Sequence, residues 1–371
     1  MGYSVRLITR PGGARASEPN TVARLEIERL ARSRVAEVAP GLSALDWRVR
    51  ARRVPPDFWQ WLYFGNPAGD AVAVIAYHEG RPVGRFERIP MRMIVDGESV
   101  GAELLQGLTL DLEFRQWTHY RRLIGATMRA EGAGDPAFSF GFATSMLAKQ
   151  HHSLGQPVLG RIPVFAAVLD GQAMLRGREF PPFVSAVGGP LAQALFRWRP
   201  GPAPANLEIR EADEFPEAVG GLQCPPSGGK VALQKDRTYL NWRYIQCPTE
   251  DYGRLTAWRD GQLRGFVVWR TDEKRGDGWI LELSARDGDD ATLIALLDAV
   301  RERMVLAGTG LVMASFPARG AAARTLRRTG FTDWATRWKN LSLIVVRGAS
   351  SCQTIIDRAA WYHSMGDWLY H

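Results

Sequence analysis

Two residues on this chain have side chains suited to moving protons. His151 stands four residues before Gly155 in Lys149-Gln150-His151-His152-Ser153-Leu154-Gly155. An imidazole there, with an ordinary pKa near 6.5, can protonate a leaving group at neutral pH. Glu103 lies deepest in the run Val100–Leu112. A carboxylate taken out of water has a raised pKa, which suits a general base. Asp111 and Glu113 share its alternation parity, so parity does not choose among the three. After this run comes Glu113-Phe114-Arg115-Gln116-Trp117-Thr118-His119-Tyr120-Arg121-Arg122. Arg115, Arg121 and Arg122 give this run positive charge, and free N–H groups at a helix start can hold an anion. Cys224, Cys247 and Cys352 share no metal-ligand spacing, and no Walker loop or Ser-His-Asp arrangement can be placed. No metal is expected.

The elements that must hold these residues occur twice. Phe58-Trp59-Gln60-Trp61-Leu62-Tyr63 through Pro67 returns as Tyr239-Leu240-Asn241-Trp242-Arg243-Tyr244 through Pro248. The offset of 181 residues holds without a gap for 27 positions. The seven identities are Trp61/Trp242, Tyr63/Tyr244, Pro67/Pro248, Asp70/Asp251, Ala76/Ala257, Gly80/Gly261 and Gly84/Gly265. The offset is too long for a solenoid, whose period is about 20–50 residues, and marks two related domains in tandem. A chain of 371 residues has room for two.

Hydrophobic content of 46% and charged content of 23% place the chain among globular proteins. Its longest apolar runs, such as Leu341–Val346, are too short to span a bilayer. An odd number of cysteines and no signal-like N-terminus lead us to expect a reducing cytoplasm. The net charge is +8, carried almost wholly by arginine. That favours anionic ligands, but no dense basic block argues for nucleic acid.

The pattern predicts an α/β chain with mixed sheets, of the α+β kind. Residues 1–50 form an N-terminal extension packed on the first domain, with an alternating piece at Tyr3–Ile8 and an amphipathic helix at Val22–Val35. The first domain, 51–170, starts with a helix at Asp57–Phe64. Strands follow at Ala71–Tyr77, Val83–Ile89, Met91–Val95 and Val100–Leu112, with hairpin turns at His78–Pro82 and Asp96-Gly97. Then come a helix at Tyr120–Ala130, a strand at Ala137–Phe142, a helix at Ser145–Ser153 and a strand within Val158–Leu169. Residues 171–205 are a connector, helical at Leu191–Trp198 and stiffened by Pro200–Pro204. The second domain, 206–347, has a loop at Pro225–Gly229. Its strands are Leu207–Arg210, Arg254–Trp258, Gly265–Trp269, Trp279–Leu283, Leu311–Ser315 and Leu341–Val346. Its later helices are Ala291–Leu306 and Ala321–Arg328. Residues 348–371 are an aromatic tail. The paired Trp and Tyr of the two repeats read as core.

The hairpin, the long strand, the Arg-containing loop, the helix and then strand–helix–Leu-Gly resemble the GCN5-related N-acetyltransferase superfamily. The Trp-x-Tyr-x-x-x-Pro start of each copy is similar to tandem members of that superfamily found in bacteria, some encoded beside cell-surface polysaccharide genes. The resemblance covers about residues 51–170 and 206–347. It implies two acetyltransferase-like domains and a loop, Arg/Gln-x-x-Gly-x-Gly/Ala, that wraps the pyrophosphate of coenzyme A. The cofactor-binding residues it implies are Leu110, Asp111, Leu112, Arg115, Thr118, Tyr120, Arg121, Arg122 and Thr144. Arg115 matches the first position of the loop, while Thr118 and Tyr120 replace its small residues. The family's general-acid tyrosine falls at His151, and Glu103 is the implied base. In the second copy the loop is Ser284-Ala285-Arg286-Asp287-Gly288-Asp289-Asp290, whose aspartates repel phosphate, and Leu326 stands at the acid position. The second copy is therefore expected to be non-catalytic.

The function so implied is an acyltransferase moving an acetyl or other acyl group from acyl-CoA to an amine or hydroxyl of a small or sugar-like acceptor. Cell-surface polysaccharide and secondary metabolism are the settings it suggests. Two rivals stand beside it. Enzymes that add amino acids to peptidoglycan precursors from aminoacyl-tRNA also resemble two such domains and lack the coenzyme A loop. A non-catalytic binding protein on a decayed site fits the loop departures as well.

Overall fold

The computed structural model describes residues 24–132, 134–153, 155–201, 206–222, 230–333, 341–347 and 353–368. The expected strand at Tyr3–Ile8, the Pro225–Gly229 loop and most of the Pro200–Pro204 run lie outside them. The first half runs β1 (Glu26–Arg29), α1 (Val35–Arg50), α2 (Asp57–Phe64), β2 (Val72–His78), β3 (Arg81–Val95), β4 (Glu98–Leu110), α3 (Trp117–Arg129), β5 (Phe138–Thr144), α4 (Ser145–Ser153), β6 (Val158–Arg161) and β7 (Phe165–Val168). Helices α5 (Gly171–Arg176) and α6 (Pro182–Phe196) connect. The second half runs β8 (Glu208–Glu211), β9 (Val231–Leu233), α7 (Arg237–Tyr244), β10 (Gly253–Arg259), β11 (Gln262–Asp272), β12 (Asp277–Ala285), α8 (Asp290–Leu306), β13 (Leu311–Ala314), α9 (Ala321–Arg328), β14 (Thr332–Asp333) and β15 (Leu341–Arg347). The tail adds α10 (Gln353–Ile356) and β16 (Trp361–Tyr362).

The repeat is a repeat of structure. In the first hairpin Val72 faces Arg88 and His78 faces Arg81; in the second Gly253 faces Trp269 and Arg259 faces Gln262. Both hairpins carry a bulge at the same place, after Ala76 and after Ala257. Both turns put two residues at positive φ, Glu79-Gly80 and Asp260-Gly261, as a tight primed turn demands. The other glycine pair serves close approach. A Cβ on Gly84 would meet Leu110, and one on Gly265 would meet the Ser284 carbonyl.

One expectation needs correction at the start of the chain. Val22–Val35 is not a helix. Its middle is β1, antiparallel to β2 with Glu26 opposite Tyr77, and the helix begins only at Val35. Leu25 and Leu30 are buried in either reading, but β2 offers an unpaired strand edge that a helix could not satisfy. In addition, Val83–Ile89 and Met91–Val95 are one strand, β3, while Val158–Leu169 contains two.

The division into 51–170 and 206–347 does not follow the sheets. The first sheet has the order β1-β2-β3-β4-β5-β15-β6, with β9 on the far end of β3 and β16 on β9. The second is β14-β7-β13-β12-β11-β10-β8. Strand β15, from the end of the second half, thus lies between β5 and β6 of the first. Reciprocally, β7 lies between β13 and β14. All four residues of β7 are buried, so this strand needs a partner on each edge and cover on each face.

Helices α1, α2 and α7 fill the space between the two sheets in one apolar cluster that includes residues of both halves, from Leu42 and Phe58 to Phe266 and Leu281. Helix α3 covers the outer face of the first sheet and α8 with α9 the outer face of the second. At the centre the repeated tryptophans stack on each other, Trp61 on Trp242, with centroids 4.7 Å apart. Each indole N–H donates to the other's carbonyl, at 3.0 Å from Trp61 and 3.4 Å from Trp242. The reciprocity is that of a pseudo-two-fold axis running between the rings.

Replacing either tryptophan with alanine should cost about 3–5 kcal/mol in urea unfolding, the range for a large buried aromatic. The double variant should cost less than the sum of the singles by on the order of 1 kcal/mol or more, because the rings lose each other only once. Strict additivity would show that the stack does not couple the two halves.

Candidate active site

The first sheet opens at its middle. Strands β4 and β5 pair in parallel from Ala102/Phe138 to Leu105/Gly141 and no further. Beyond that point β4 continues five residues to Leu110 and β5 continues to Thr144, without a shared ladder. The cause lies in β4. Its register against β3 shifts between Arg85/Thr109 and Glu87/Gln106. Gly107 sits in the shift at φ +75, a conformation that L side chains rarely adopt. Leu105, Gln106 and Leu108, mid-sheet residues that a closed sheet would bury, are partly exposed, as is Phe142 across the gap. The result is an apolar slot whose β4 wall presents peptide groups with no strand partner.

The slot leads to the start of α3. Its N-cap, Gln116, makes no side-chain capping bond, and the first turn holds no acidic residue. Arg121 is exposed and has no hydrogen bond or ion pair among the described residues. Thr118 is exposed as well, and Trp117 is half exposed rather than packed. Tyr120 packs on the core beneath α3. Three other expected residues are engaged. Arg115 Nε donates to the Leu110 carbonyl at 3.1 Å, and Arg122 donates to the Leu25 carbonyl at 2.9 Å. Asp111 caps the Leu112 amide and accepts from Arg48 at 2.7 Å. Leu110 is buried, while Leu112 and Thr144 are exposed at the two strand ends.

The second copy differs at the matching place. Strands β12 and β13 pair as far as Ile280/Ala314, where β13 ends, while β12 runs on to Ala285. Here Asp289 caps α8, accepting from the Ala291 amide at 3.1 Å and the Thr292 hydroxyl at 2.6 Å. Asp290 beside it takes Arg324 and Arg328. Two carboxylates already occupy the place where a phosphate would meet the helix dipole.

Glu103 and His151 are not brought together by a hydrogen bond or ion pair. Glu103 is buried, 3.5 Å from Arg88, and accepts from Ser139 at 3.1 Å. It lies in the closed part of the β4–β5 ladder. His151 is partly exposed on the last turn of α4, and its Nδ1 meets the Gln156 side-chain carbonyl. The second copy's Leu326 is buried on α9.

A second buried carboxylate stands nearer the opening. Glu87 on β3 accepts from Tyr63 at 2.7 Å and from Arg85, whose other arm reaches Asp46 at 2.7 Å. It is so close to Gly107 that no Cβ would fit there. Burial raises the Glu87 pKa against the pull of Arg85 and Tyr63. For Asp46 burial is outweighed by Arg85 and Arg50, and the pKa is lowered. Sequence reasoning passed over this cluster. Its signal was Arg85 and Glu87 on the same parity as Ile89, Met91 and Met93, charges in line with core residues.

No family model matches the sequence, and no curated protein does either. Solved structures do match. N-myristoyltransferase of Saccharomyces cerevisiae with bound myristoyl-CoA is 12% identical, with a TM-score of 0.63 over 91% of this chain and 84% of that one. A GCN5-related N-acetyltransferase from Anabaena variabilis is 11% identical, with a TM-score of 0.58 over 89% and 74%. A tandem GNAT protein from the clavulanic acid biosynthesis pathway is 14% identical, with a TM-score of 0.54 over 87% of this chain and 98% of that one. The chain has the GCN5-related N-acetyltransferase fold, in tandem.

In this N-acetyltransferase-fold pair the tail runs over the inner face of the first sheet. Trp361 packs on Phe138 and Phe140, and Trp368 on Phe142 at the mouth of the slot. The tail is fastened by Lys235. Its ammonium lies 2.7 Å from Glu282, Asp367 and the Ser364 hydroxyl. Burial opposes that charge, but Asp367 and Glu282 outweigh it and raise its pKa. Tyr244 donates to Glu282 at 2.6 Å. The repeated tyrosine thus meets a buried carboxylate in both copies, Glu87 in one and Glu282 in the other.

His363 in this tail titrates against the fold. Burial, with Lys235 and Arg358 adding to it against Asp367, pushes its pKa down to about 4. A histidine depressed on folding contributes stability above its unfolded pKa, and this is lost as pH falls from about 6.5 toward 4. Unfolding free energy should therefore drop by up to about 3 kcal/mol over that window. In His363→Gln the drop should be smaller. Equal slopes in urea titrations of the two proteins would remove His363 as the cause.

Proposed function

We propose that the first copy transfers an acyl group from acyl-CoA to an amine or hydroxyl of a small or sugar-like acceptor, and that the second copy is a non-catalytic wall. The observation that supports this most is the difference between the two helix starts. In the first copy α3 has no side-chain cap and carries the exposed Thr118 and Arg121 in its first turns. In the second, Asp289 closes α8. Backbone N–H groups and an exposed guanidinium suit the pyrophosphate of coenzyme A, and the slot lined by Leu105 and Leu108 suits its apolar arm.

The chemistry follows from what stands around the slot. The acceptor approaches from the inner face, between β4, Phe142 and the tail. A buried carboxylate takes its proton as the nitrogen or oxygen attacks the thioester carbon. Glu87, with its raised pKa and its place beside Gly107, suits that role better than Glu103, which Arg88 and Ser139 hold in the closed ladder. The peptide N–H groups of β4 beyond Leu105 receive the negative oxygen. The carbon–sulfur bond breaks, and His151 gives a proton to the leaving thiolate.

Coenzyme A should raise the melting temperature of the protein. Arg121→Ala should weaken its binding about 10–100-fold, as expected for the loss of a charge-assisted hydrogen bond of ~1.5–3 kcal/mol, and leave unliganded stability unchanged. Arg122→Ala should also loosen β1. No shift with coenzyme A, and RNA co-purifying instead, would favour the aminoacyl-tRNA reading; neither would favour a binding protein. Once a substrate is known, His151→Phe should lower turnover by about 10²–10⁴-fold, with His151→Tyr less affected. Glu87→Gln should fall further than Glu103→Gln, and the reverse order would return the base to Glu103.

A further inference from the structure

Helix α6 buries its small residues and exposes its large ones. Its fifteen residues, Pro182 to Phe196, include no charge. Ser185 and Gly189 are the buried ones, and Gly189 lies so tightly on Gly171 of α5 that neither position has room for a Cβ. On the opposite face Phe183, Val187, Leu191 and Leu195 follow at four-residue spacing and are 72, 78, 62 and 65% exposed. Ala186, Pro190 and Ala194 fill the gaps between them, and Phe180 extends the stripe beyond the first turn. A surface helix normally turns such a stripe to the core. A continuous exposed apolar face of this kind marks a contact surface.

The surroundings select the contact. Arg197 and Arg199 are exposed just beyond the helix end, with Arg327 of α9 exposed nearby, where Gly330 packs on the Arg197 carbonyl. At the other end Arg176, Lys274 and Arg275 are exposed, among Glu179, Asp272 and Glu273. None of Arg176, Arg197, Arg199, Lys274 and Arg275 forms an ion pair among the described residues. The rim is therefore net positive around an uncharged face. A helix of this length spans only about 22 Å. Two copies packed along it would bury less than the ~1,200 Å² of a stable protein interface. An interfacial helix has no such threshold, because apolar burial and attraction of basic residues to anionic head groups suffice.

We propose that α6 lies in the head-group region of an anionic lipid surface, its Phe183–Val187–Leu191–Leu195 stripe among the acyl chains and Arg197 and Arg199 on the phosphates. This rests on the exposed face and its basic rim and does not require the acyl-transfer reading. The full chain should co-sediment with mixed phosphatidylcholine–phosphatidylglycerol vesicles, less at high salt and less with phosphatidylcholine alone. Val187→Ser/Leu191→Ser should lose at least tenfold in vesicle affinity with an unchanged melting temperature, since both side chains are exposed. Arg197→Glu/Arg199→Glu should lose the preference for the anionic vesicles. A protein that fails to sediment with either vesicle overturns the proposal, as does unchanged binding by the serine variant. Concentration-dependent dimerisation abolished by that same variant, without vesicle binding, would assign the face to a second copy instead.

Discussion

Each sheet of this molecule is completed by a strand from the other half. Strand β15 fills the place between β5 and β6, and β7 the place between β13 and β14. A strand buried on both faces cannot leave its edges unpaired, because each lost peptide hydrogen bond in a dry core is expensive. The exchange therefore fixes the two halves against each other more firmly than surface contact could. The Trp61–Trp242 stack then sits on the axis that the exchange defines, and the apolar layer between the sheets belongs to both copies at once.

That shared layer explains how duplicated parts came to differ. The repeated tyrosine, Tyr63 or Tyr244, needs an acceptor inside the layer. One copy supplies it from β3 and the other from β12, and in each case a basic residue accompanies the carboxylate, Arg85 or Lys235. The starts of α3 and α8 had no such common constraint. One helix start has no side-chain cap and the other is closed by Asp289, so the two copies differ in charge there.

Much of this was legible in the sequence. The repeat could be read because glycine at a positive-φ turn and at a close backbone approach is required by geometry, and both hairpins have the same geometry. The start of α3 stood out only through its resemblance to a family loop, and its arginines divide: Arg115 and Arg122 hold the Leu110 and Leu25 carbonyls, while Arg121 is exposed. The strand at Glu26–Arg29 could not, since Leu25, Ile27 and Leu30 fit either period and only the edge of β2 decides. The exchange left no local mark: Leu341–Val346 reads as a strand, but nothing in it names its sheet. Glu87 was passed over although Arg85 and Glu87 break the alternation of their strand, standing in line with the core residues Ile89, Met91 and Met93. The Lys235 cluster was hidden because its members come from three distant segments, α7's approach, β12 and the tail.

The exchange also sets an order of events in synthesis. When β5 and β6 have left the ribosome, the strand that belongs between them is still untranslated, and β7 has no partner at all. The nascent first half must hold open sheet edges until nearly the whole chain is available, a state prone to wrong pairing. Contacts this distant in sequence also close slowly. A cut in the connector after folding has the opposite character: the fragments would remain threaded through each other's sheets, and a nicked chain would still behave as one particle.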